Sequence, residues 1–353
     1  MAWRSDVSKP RIARICHNKM PSLGPHTPPR SPADSSMSTP LSSIIPRNTS
    51  ALFAHASRTS ERVIVPINDC ALAPGAPRPA FYCVHSASGV AGTDFLDLAW
   101  RLEPTVRFYG IQAPPKQMPN VEFGSSVESL ADFYAAALTK FQPEGPLLLG
   151  GYCVGAVIAL AMADKLQAQG RQVGPLLVID GVPENIGAAF SRWTLRYWLE
   201  IARNVRGWLS HGDLMRNRTL QSLIWSITSN ASAIGKRAIG LKRGQKLGGG
   251  YAIEGIMDVS RYQPVHRSFV NRLFQALFAY APKGYSGNVV VYEATVKPLL
   301  YLPQIGRIWQ QFAHQAEIVE IVGTHIGMMH VPYVDALADD MRKRIVAYFS
   351  AQS

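Results

Sequence analysis

Residues 145–166 constrain the possible fold more than any other part of the sequence. They read GPLLLGGYCVGAVIALAMADKL, a short apolar run followed by a glycine-rich turn and then by a long apolar helix-like run. A strand that leads through a tight turn directly into a helix is the unit from which helix-covered parallel sheets are built. The turn holds a cysteine, Cys153, in a Gly-x-Cys-x-Gly frame.

The chain from residue 61 onward repeats this alternation of strand-like and helix-like patterns. The strand patterns are RVIVPI, AFYCVHS, VRFYGIQAP, GPLLLGGYC, GPLLVIDG, GNVVVYEA and AEIVEIVGTH. The helix patterns include FLDLAWRL, SSVESLADFYAAALTKF, SFVNRLFQALFAYA and VDALADDMRKRIVAYF, and Ser125 with Glu128 predicts a capping box for the second of these. Runs as apolar as LLVI fit strands that are buried on both faces. The sequence therefore predicts an α/β fold, a mostly parallel sheet with helices on both faces.

Composition agrees with a large folded domain and argues against several other classes of protein. The 353 residues are 47% hydrophobic and 17% charged, enough to bury a sizeable core. No uninterrupted apolar stretch is long enough to predict a membrane span. The four cysteines are too few for a disulfide framework and lack metal-ligand spacing, which favours a cytoplasmic protein without a metal site. Cys16, Cys70 and Cys83 are expected to be inert.

The net charge of +12 is concentrated in two segments. Residues 1–60 hold eight Lys and Arg against two Asp and Glu, and residues 190–246 hold eleven against two. The remainder is slightly acidic, and no zinc-finger, RNA-binding or helix-turn-helix pattern occurs. We therefore expect no binding to nucleic acid.

The first 60 residues are predicted to be a disordered, basic tail. Their stretch PSLGPHTPPRSPADSSMSTPLSS is rich in Pro and Ser and has little to bury. A targeting role is the alternative, although neither a secretory apolar core nor an amphipathic helix pattern is present. The folded domain is expected to cover residues 61–353.

Three reactive side chains follow predicted strands and form the candidate catalytic set: Cys153, Asp180 and His325. In parallel sheets, functional residues gather at the carboxyl ends of the strands. The order nucleophile, acid, base is that of the α/β-hydrolase arrangement. Structural alternatives stay open, since Asp180 could cap a loop, and His325 could be a turn histidine or be mistaken for His330, for which a structural role is expected.

The glycines around Cys153 indicate a strained turn that presents a nucleophile. Gly151 and Gly155 leave room where a side chain would clash with neighbouring backbone. At a helix N-terminus the dipole favours a thiolate. The N–H of Val154 would face a developing oxyanion, and the second donor is expected from HSASGVAG, with Ala87 as first choice and Ser88 next. His85 is expected to shape this loop.

From about residue 62 to its end, the chain resembles the thioesterase domains of nonribosomal peptide synthetases and polyketide synthases. The matching stretches include PAFYCVHSASGVAG, VRFYGIQAPP, SVESLADFYAAAL, YSGNVVVYEA, VGTHIGMM and the whole of residues 145–181. The resemblance implies an α/β-hydrolase fold with Asp180 as the acid. Many other α/β-hydrolases carry the acid one strand later, which here is Glu293. Cys153 departs from the family, in which serine is the usual nucleophile.

The resemblance also implies a helical lid over the active site, at about residues 187–262. Trp193 and Trp198 fall at helical spacing within it and could line an acyl channel or pack the lid on the domain. Basic residues of the lid are expected to attract an acidic acyl or peptidyl carrier protein; among them are Arg216, Arg218, Lys242 and Arg243. An ordinary solvated surface is the alternative. The substrate would arrive on the carrier's phosphopantetheine arm, so no further cofactor is expected.

The function predicted from these observations is transfer of an acyl group to Cys153, with His325 as general base and acid and Asp180 as its orienting partner. Release by hydrolysis, cyclisation or transfer to an amine or alcohol stays open. The string GYCVG also resembles the active-site box of polyhydroxyalkanoate synthases, which is one alternative. A carrier-binding module without turnover is the other.

Overall fold

The computed structural model describes residues 62–68, 79–183, 263–282, 284–297 and 305–352. The predicted tail at residues 1–60 and the whole of the predicted lid at residues 187–262 lie outside these ranges. So do the lid residues singled out above: Trp193, Trp198, Arg216, Arg218, Lys242 and Arg243. The predictions made for them stay predictions.

Seven strands form one sheet in the order β1-β3-β2-β4-β5-β6-β7. Only the pairing of β1 with β3 is antiparallel, and the other neighbours run parallel. The strands are β1 (Ile64–Pro66), β2 (Ala80–Val84), β3 (Arg107–Ile111), β4 (Leu149–Tyr152), β5 (Leu176–Ile179), β6 (Tyr285–Val296) and β7 (Ala313–Thr324). The mostly parallel sheet predicted from the sequence is confirmed.

Helices connect these strands within the described ranges. They are α1 (Ala91–Asp94), α2 (Leu96–Leu102), α3 (Val127–Phe141), α4 (Gly155–Ala168), α5 (Pro264–Ala279), α6 (Ile305–Phe312) and α7 (Val334–Ser350), with a 3-10 turn at Gly327–Met329. Neither α1 nor α6 was predicted.

The predicted cap of α3 is wrong by one residue. Ser126, in extended backbone conformation, is the capping residue, and its hydroxyl accepts a hydrogen bond from the Ser129 N–H at 3.1 Å. The Ser125 hydroxyl instead donates to the Glu122 carbonyl at 2.7 Å. The cap therefore closes on the third helical residue from the serine directly before the helix, as N-capping geometry requires.

The sheet carries one apolar cluster on each face, because successive side chains of a strand point to opposite sides. On β2, Tyr82 and Val84 pack into a cluster with α3, α4, α5 and α6. Phe81 and Cys83 point the other way, into a cluster with α1, α2 and α7. Both faces of the strands are therefore covered, as their near-continuous apolar sequences predict.

The strand order decides where a site can form. After β2 the chain runs to β3 on one side of it, and β4 is then added on the other side of β2. The loops after the adjacent strands β2 and β4 therefore lead in opposite directions along the sheet. This topological switch point is where open α/β sheets bind their ligands. Cys153 follows β4 at this point, Asp180 follows β5 and His325 follows β7.

Candidate active site

Cys153 occupies a strained turn between β4 and α4. Its φ of 58° lies in the left-handed region, which non-glycine residues seldom adopt. The Cys153 N–H donates to the Ile179 carbonyl of β5 at 2.9 Å, and the Cys153 carbonyl accepts from the Ala156 N–H at 3.2 Å. These hydrogen bonds to the sheet and the helix thus hold Cys153 in a backbone conformation that is unfavourable for a non-glycine residue. Such conformations cluster at functional positions.

Three glycines surround this turn because the backbone leaves no room for a side chain. A Cβ on Gly151 would meet the Gly155 backbone, and a Cβ on Gly155 would meet the carbonyls of Val84 and His85. A Cβ on Gly181, which follows β5, would likewise meet the Cys153 carbonyl. The close approach predicted for Gly151 and Gly155 is present, and it brings the turn against the ends of β2 and β5.

The histidine and the acid predicted from the sequence are in contact. His325 Nδ1 donates to Asp180 Oδ2 at 2.7 Å, although the two residues are far apart in the chain. The Asp180 side chain is only 4% exposed and that of His325 is 33% exposed. The histidine side chain is therefore partly exposed, while its carboxylate partner is shielded from water.

The Cys153 thiol interacts electrostatically with the His325 ring. Burial lowers the pKa of His325, but the negative charge of Cys153 and the hydrogen bond that His325 donates to Asp180 outweigh burial and raise that pKa to about 10. The arrangement thus favours the protonated form of the His325 ring. An imidazole that can take up the proton of a neighbouring thiol is the kind of group that activates a cysteine for nucleophilic attack.

Asp180 is held by more than the histidine. Its φ of 45° is also left-handed, and its Oδ1 accepts from the Ala294 N–H at 2.9 Å and from Lys297 Nζ at 3.0 Å. Burial alone would raise the pKa of this carboxyl, but the positive charge of Lys297 and the hydrogen bond from His325 hold the pKa well below its usual range. Asp180 is therefore an ionised acceptor with its orientation fixed.

Glu293, the alternative acid, has other partners than His325 among the described residues. Its Oε2 accepts from the Gly306 N–H at 3.0 Å, and its Oε1 pairs with Lys297 at 3.2 Å. Lys297 therefore bridges the two carboxylates, and the described hydrogen bond of His325 Nδ1 goes to Asp180.

The two N–H groups predicted to bind an oxyanion lie in different loops, that of Ala87 after β2 and that of Val154 after β4. Among the described residues, no hydrogen bond uses the N–H of Ala87 or of Val154. The Ser88 N–H, the second choice from the sequence, is already engaged, since it donates to Ser86 Oγ at 3.1 Å. Asp94 clamps the loop after β2 by accepting from the Ser86 N–H at 3.1 Å and from Ser88 Oγ at 3.0 Å. Within the part of the chain that the structure describes, the N–H of Ser88 therefore has an acceptor and that of Ala87 does not, and the oxyanion role stays a prediction.

His85 is fully buried, and its contacts hold this loop in place. One ring nitrogen contacts the Ser86 carbonyl, and Nε2 lies 2.8 Å from the Tyr134 hydroxyl. Burial lowers the pKa of His85 to about 4, so the ring is neutral. From α5, His266 reaches the Ser88 carbonyl of the same loop.

His330 lies away from this cluster. Its Nδ1 is 2.9 Å from Asp97 Oδ2, on the exposed surface between α2 and α7.

Cys83 is fully buried, and burial raises the pKa of its thiol well above the usual value, which disfavours a reactive thiolate. Both placements, that of His330 and that of Cys83, agree with the structural roles expected for these residues.

The described ranges contain neither a candidate membrane span nor a candidate metal cluster. No helix in them is long and apolar enough to cross a membrane. No group of three or more His, Cys, Asp or Glu side chains in them is arranged to hold a metal ion.

Sequence reasoning missed three residues that shape the site: Lys297, Asp94 and Tyr152. Each has a weak signal in the sequence. Lys297 directly follows β6, and Asp94 follows the glycine-rich loop after β2. Tyr152 stands directly before the candidate nucleophile, and its ring stacks on His325. A position beside a strand end indicates proximity to a site, but the contacts depend on how distant strands are ordered.

Comparison with known proteins gives a consistent family signal. Residues 79–242, just under half of the chain, match the family described as thioesterase domain. Over 105 residues the chain is 34% identical to enterobactin synthase component F of Escherichia coli, covering 30% of this chain and 8% of that protein. Over 111 residues it is 35% identical to the non-reducing polyketide synthase Dhc5 of Alternaria cinerariae, covering 30% of this chain and 5% of that protein. The matched stretch thus spans less than a tenth of either relative.

The fold has a solved counterpart. A four-domain nonribosomal peptide synthetase, holo-AB3403 bound to AMP and glycine, aligns with a TM-score of 0.51 and 19% identity, over 80% of this chain and 20% of that one. The chain has a thioesterase-type α/β-hydrolase fold, as predicted. Its sequence is similar to the thioesterase domains of peptide and polyketide synthases.

Proposed function

We propose that this protein is an enzyme that takes an acyl or peptidyl group from a phosphopantetheine thioester onto Cys153 and then releases it. The observation that supports this most directly is the hydrogen bond from His325 to Asp180, together with the electrostatic interaction of Cys153 with the His325 ring at the carboxyl edge of the sheet. These three residues supply the three parts of a nucleophile triad, namely an attacking atom, a base and a group that orients the base.

The first half-reaction acylates the cysteine. The Cys153 thiolate attacks the thioester carbonyl carbon, and the carbonyl electron pair moves to oxygen. The Val154 and Ala87 N–H groups stabilise the oxyanion. Collapse of the tetrahedral intermediate breaks the bond to the pantetheine sulfur, which leaves with the proton held by His325. Asp180 keeps the ring oriented throughout and needs to accept no proton.

The second half-reaction releases the product. His325, now neutral, takes a proton from water or from an amine or hydroxyl nucleophile as that nucleophile attacks the acyl carbon. The second tetrahedral intermediate collapses and expels the Cys153 thiolate, which restores the starting ion pair. Since the substrate's own arm supplies the activated bond, the cycle proposed here uses no cofactor of the enzyme.

The thiol changes the energetics of the intermediate. A serine would convert the incoming thioester to a less reactive oxoester, whereas Cys153 exchanges one thioester for another. The acyl group therefore stays activated for a weak or intramolecular nucleophile. This chemistry supports release by cyclisation or transfer as well as by hydrolysis.

The proposed partner is an acyl or peptidyl carrier protein. The relatives are a component of enterobactin synthase and a polyketide synthase. The phosphopantetheine arm of such a carrier would bring its thioester to Cys153, which is partly exposed at the carboxyl edge of the sheet. The basic lid residues named above would add electrostatic attraction to an acidic carrier.

Acyl transfer to Cys153 can be observed directly. Incubation with an acyl-pantetheine thioester is expected to add the acyl mass to the wild-type protein and to release one thiol, and peptide mapping is expected to place the adduct on Cys153. Cys153→Ala should show no adduct, and the matched variant Cys83→Ala should behave as wild type, because Cys83 is buried. Wild-type protein that binds the thioester without releasing thiol would point to a binding module.

Cys153→Ser tests what the thiol contributes. We expect the variant to fold and to accept some acyl groups, and then to stall at the oxoester or to form the free acid. Product profiles by mass spectrometry, with and without an added amine nucleophile, separate these outcomes. An unchanged profile would show that the thiol has no part in directing release.

A further inference from the structure

Tyr152 makes two contacts with His325 and therefore does more than fill the core. Its ring stacks on the imidazole with centroids 4.9 Å apart and planes 23° apart. Its hydroxyl donates to the backbone carbonyl of His325 at 3.0 Å. One side chain thus holds both the ring and the main chain of the candidate base.

The position of Tyr152 is itself well fixed. It is the last residue of β4, paired in parallel register with Ile179, and is only 6% exposed. The ring of Phe95 supports it edge-on at 6.5 Å. Because Tyr152 directly precedes Cys153, its backbone and that of the nucleophile move together. The tyrosine therefore sets the histidine relative to the thiol, across the two strands that separate β4 from β7.

The stacking also has an electrostatic consequence. The face of an aromatic ring carries partial negative charge and attracts a cation placed over it. The groups facing His325 are the Cys153 thiol, the Asp180 carboxylate with Lys297 behind it, and the Tyr152 ring. The tyrosine face thus adds to the stabilisation of the imidazolium form.

We propose that Tyr152 is a positioning residue of the acyl-transfer reaction, which holds the His325 ring between Asp180 and Cys153 and favours its protonated form. This inference rests on the function proposed above. The tyrosine gains and loses no proton in the cycle. When the proton passes from Cys153 Sγ to His325, the cation forms beneath the aromatic face. When His325 gives up that proton to the leaving thiolate, the ring is still held in line with Cys153.

Tyr82 provides a matched control. It is 2% exposed on β2, its ring stacks on Tyr109 at 5.2 Å with an angle of 16°, and its hydroxyl donates to Gln142. It therefore has the burial, the stacking and the hydrogen bond of Tyr152, but its partners lie outside the candidate site. Substitutions at both positions should cost similar stability.

The experiment compares Tyr152→Phe and Tyr152→Leu with Tyr82→Phe and Tyr82→Leu. For each soluble variant, single-turnover acylation by an acyl-pantetheine thioester is measured as a function of substrate concentration, together with Tm. Removing the stacking in Tyr152→Leu is expected to slow acylation at saturation by about tenfold or more, with little change in KM. Tyr152→Phe, which keeps the stacking, is expected to lose about threefold to tenfold. The Tyr82 variants should lose Tm but keep the rate per folded molecule.

A second readout does not depend on turnover. The NMR titration of the His325 imidazole is expected to move to lower pH in Tyr152→Leu and to stay unchanged in Tyr82→Phe. Equal rates for the Tyr152 and Tyr82 variants, or an unchanged His325 titration in Tyr152→Leu, would overturn the positioning role. If wild-type Cys153 is never acylated, the proposed function fails, while the titration still tests the contact between Tyr152 and His325.

Discussion

His325 and His330 lie in the same segment after β7, and each places its Nδ1 against an aspartate carboxylate. The distances are 2.7 Å to Asp180 and 2.9 Å to Asp97. The surroundings differ, since the Asp180 side chain is 4% exposed and the Asp97 side chain is 28% exposed. A histidine–aspartate contact therefore does not by itself mark a catalytic site.

The remaining contacts of the two pairs explain the difference. Asp180 is held by Lys297 and the Ala294 N–H, and the ring of His325 interacts electrostatically with Cys153. Asp97 lies on the exposed side of α2, where its pair with His330 links that helix to the segment before α7. Water screens a surface pair strongly and a buried pair weakly. The first arrangement can thus polarise a nucleophile, whereas the second joins two surface elements.

The largest contrast is expected from the same substitution at both aspartates. Asp180→Asn should lower the rate of acylation by about 10³- to 10⁴-fold, since the amide cannot hold the histidine in its working tautomer. Asp97→Asn should change it by less than about twofold, because exposed pairs contribute little. Single-turnover release of pantetheine thiol measures both. A comparable loss of acylation rate in the two variants would show that the buried pair matters no more for acylation than the surface pair.

The next effect concerns the pKa of His325. The negative charge of Cys153 is the main cause that raises this pKa to about 10, so Cys153→Ala should lower it markedly. Because the pKa is raised on folding, the interaction stabilises the folded state fully below the ordinary histidine pKa of about 6.5 and is lost as pH rises towards 10. NMR titration of the imidazole checks this, with the His330 resonance as an internal reference. An unchanged His325 titration in Cys153→Ala would show that the charge of the thiol does not raise the pKa of His325.

A smaller effect is expected from Lys297→Met. Lys297 lowers the pKa of Asp180, so its removal should raise that pKa and make the carboxylate protonate at a higher pH. A depressed carboxyl pKa stabilises the folded state above its unfolded value of about 3.9, and this stabilisation is lost as pH falls. Acid unfolding, followed by circular dichroism, should thus begin at a higher pH in the variant. Activity at neutral pH should fall by about tenfold at most.

Lys165→Met is the control for this prediction, because Lys165 pairs with Asp132 on the exposed surface. Its acid unfolding should follow wild type closely. If both lysine variants shift alike, the effect reflects general loss of charge and not the bridge to Asp180.

The smallest effect is expected from Glu293→Gln. Glu293 contacts the Gly306 N–H and Lys297, and an amide oxygen can still accept the first of these hydrogen bonds. The acylation rate should change by no more than about threefold. A loss as large as that of Asp180→Asn would assign the acid to β6 instead.

The sequence predicted the meeting of Cys153, Asp180 and His325 because parallel strands bring their carboxyl ends to one edge of a sheet. The choice between Asp180 and Glu293 rested on a family resemblance, since both follow or end a strand. The structure shows the physical difference, which is that Asp180 accepts the hydrogen bond of His325 Nδ1, whereas Glu293 accepts that of the Gly306 N–H and shares Lys297 with Asp180. Nothing in the local sequence of β6 predicts that bridge.

Contacts across long chain separations account for what was missed. The stacking of Tyr152 on His325 joins β4 to the end of β7, and no local periodicity reports it. The helix α6 is short, with Ile305, Gly306 and Trp309 as its buried positions, too few for a clear helical pattern. Ser126 displaced Ser125 as a cap because the helix begins one residue later than the pattern indicated.

The left-handed backbone at residue 153 also restricts which nucleophiles evolution or engineering could install there. Serine and cysteine have an unbranched Cβ and would meet a similar conformational cost at a φ of 58°. Threonine carries a hydroxyl as well, but its β-branched side chain makes this conformation a genuine outlier. Exchange between oxygen and sulfur chemistry is therefore open to a single substitution, while a third nucleophile of similar size is closed by the geometry of the main chain.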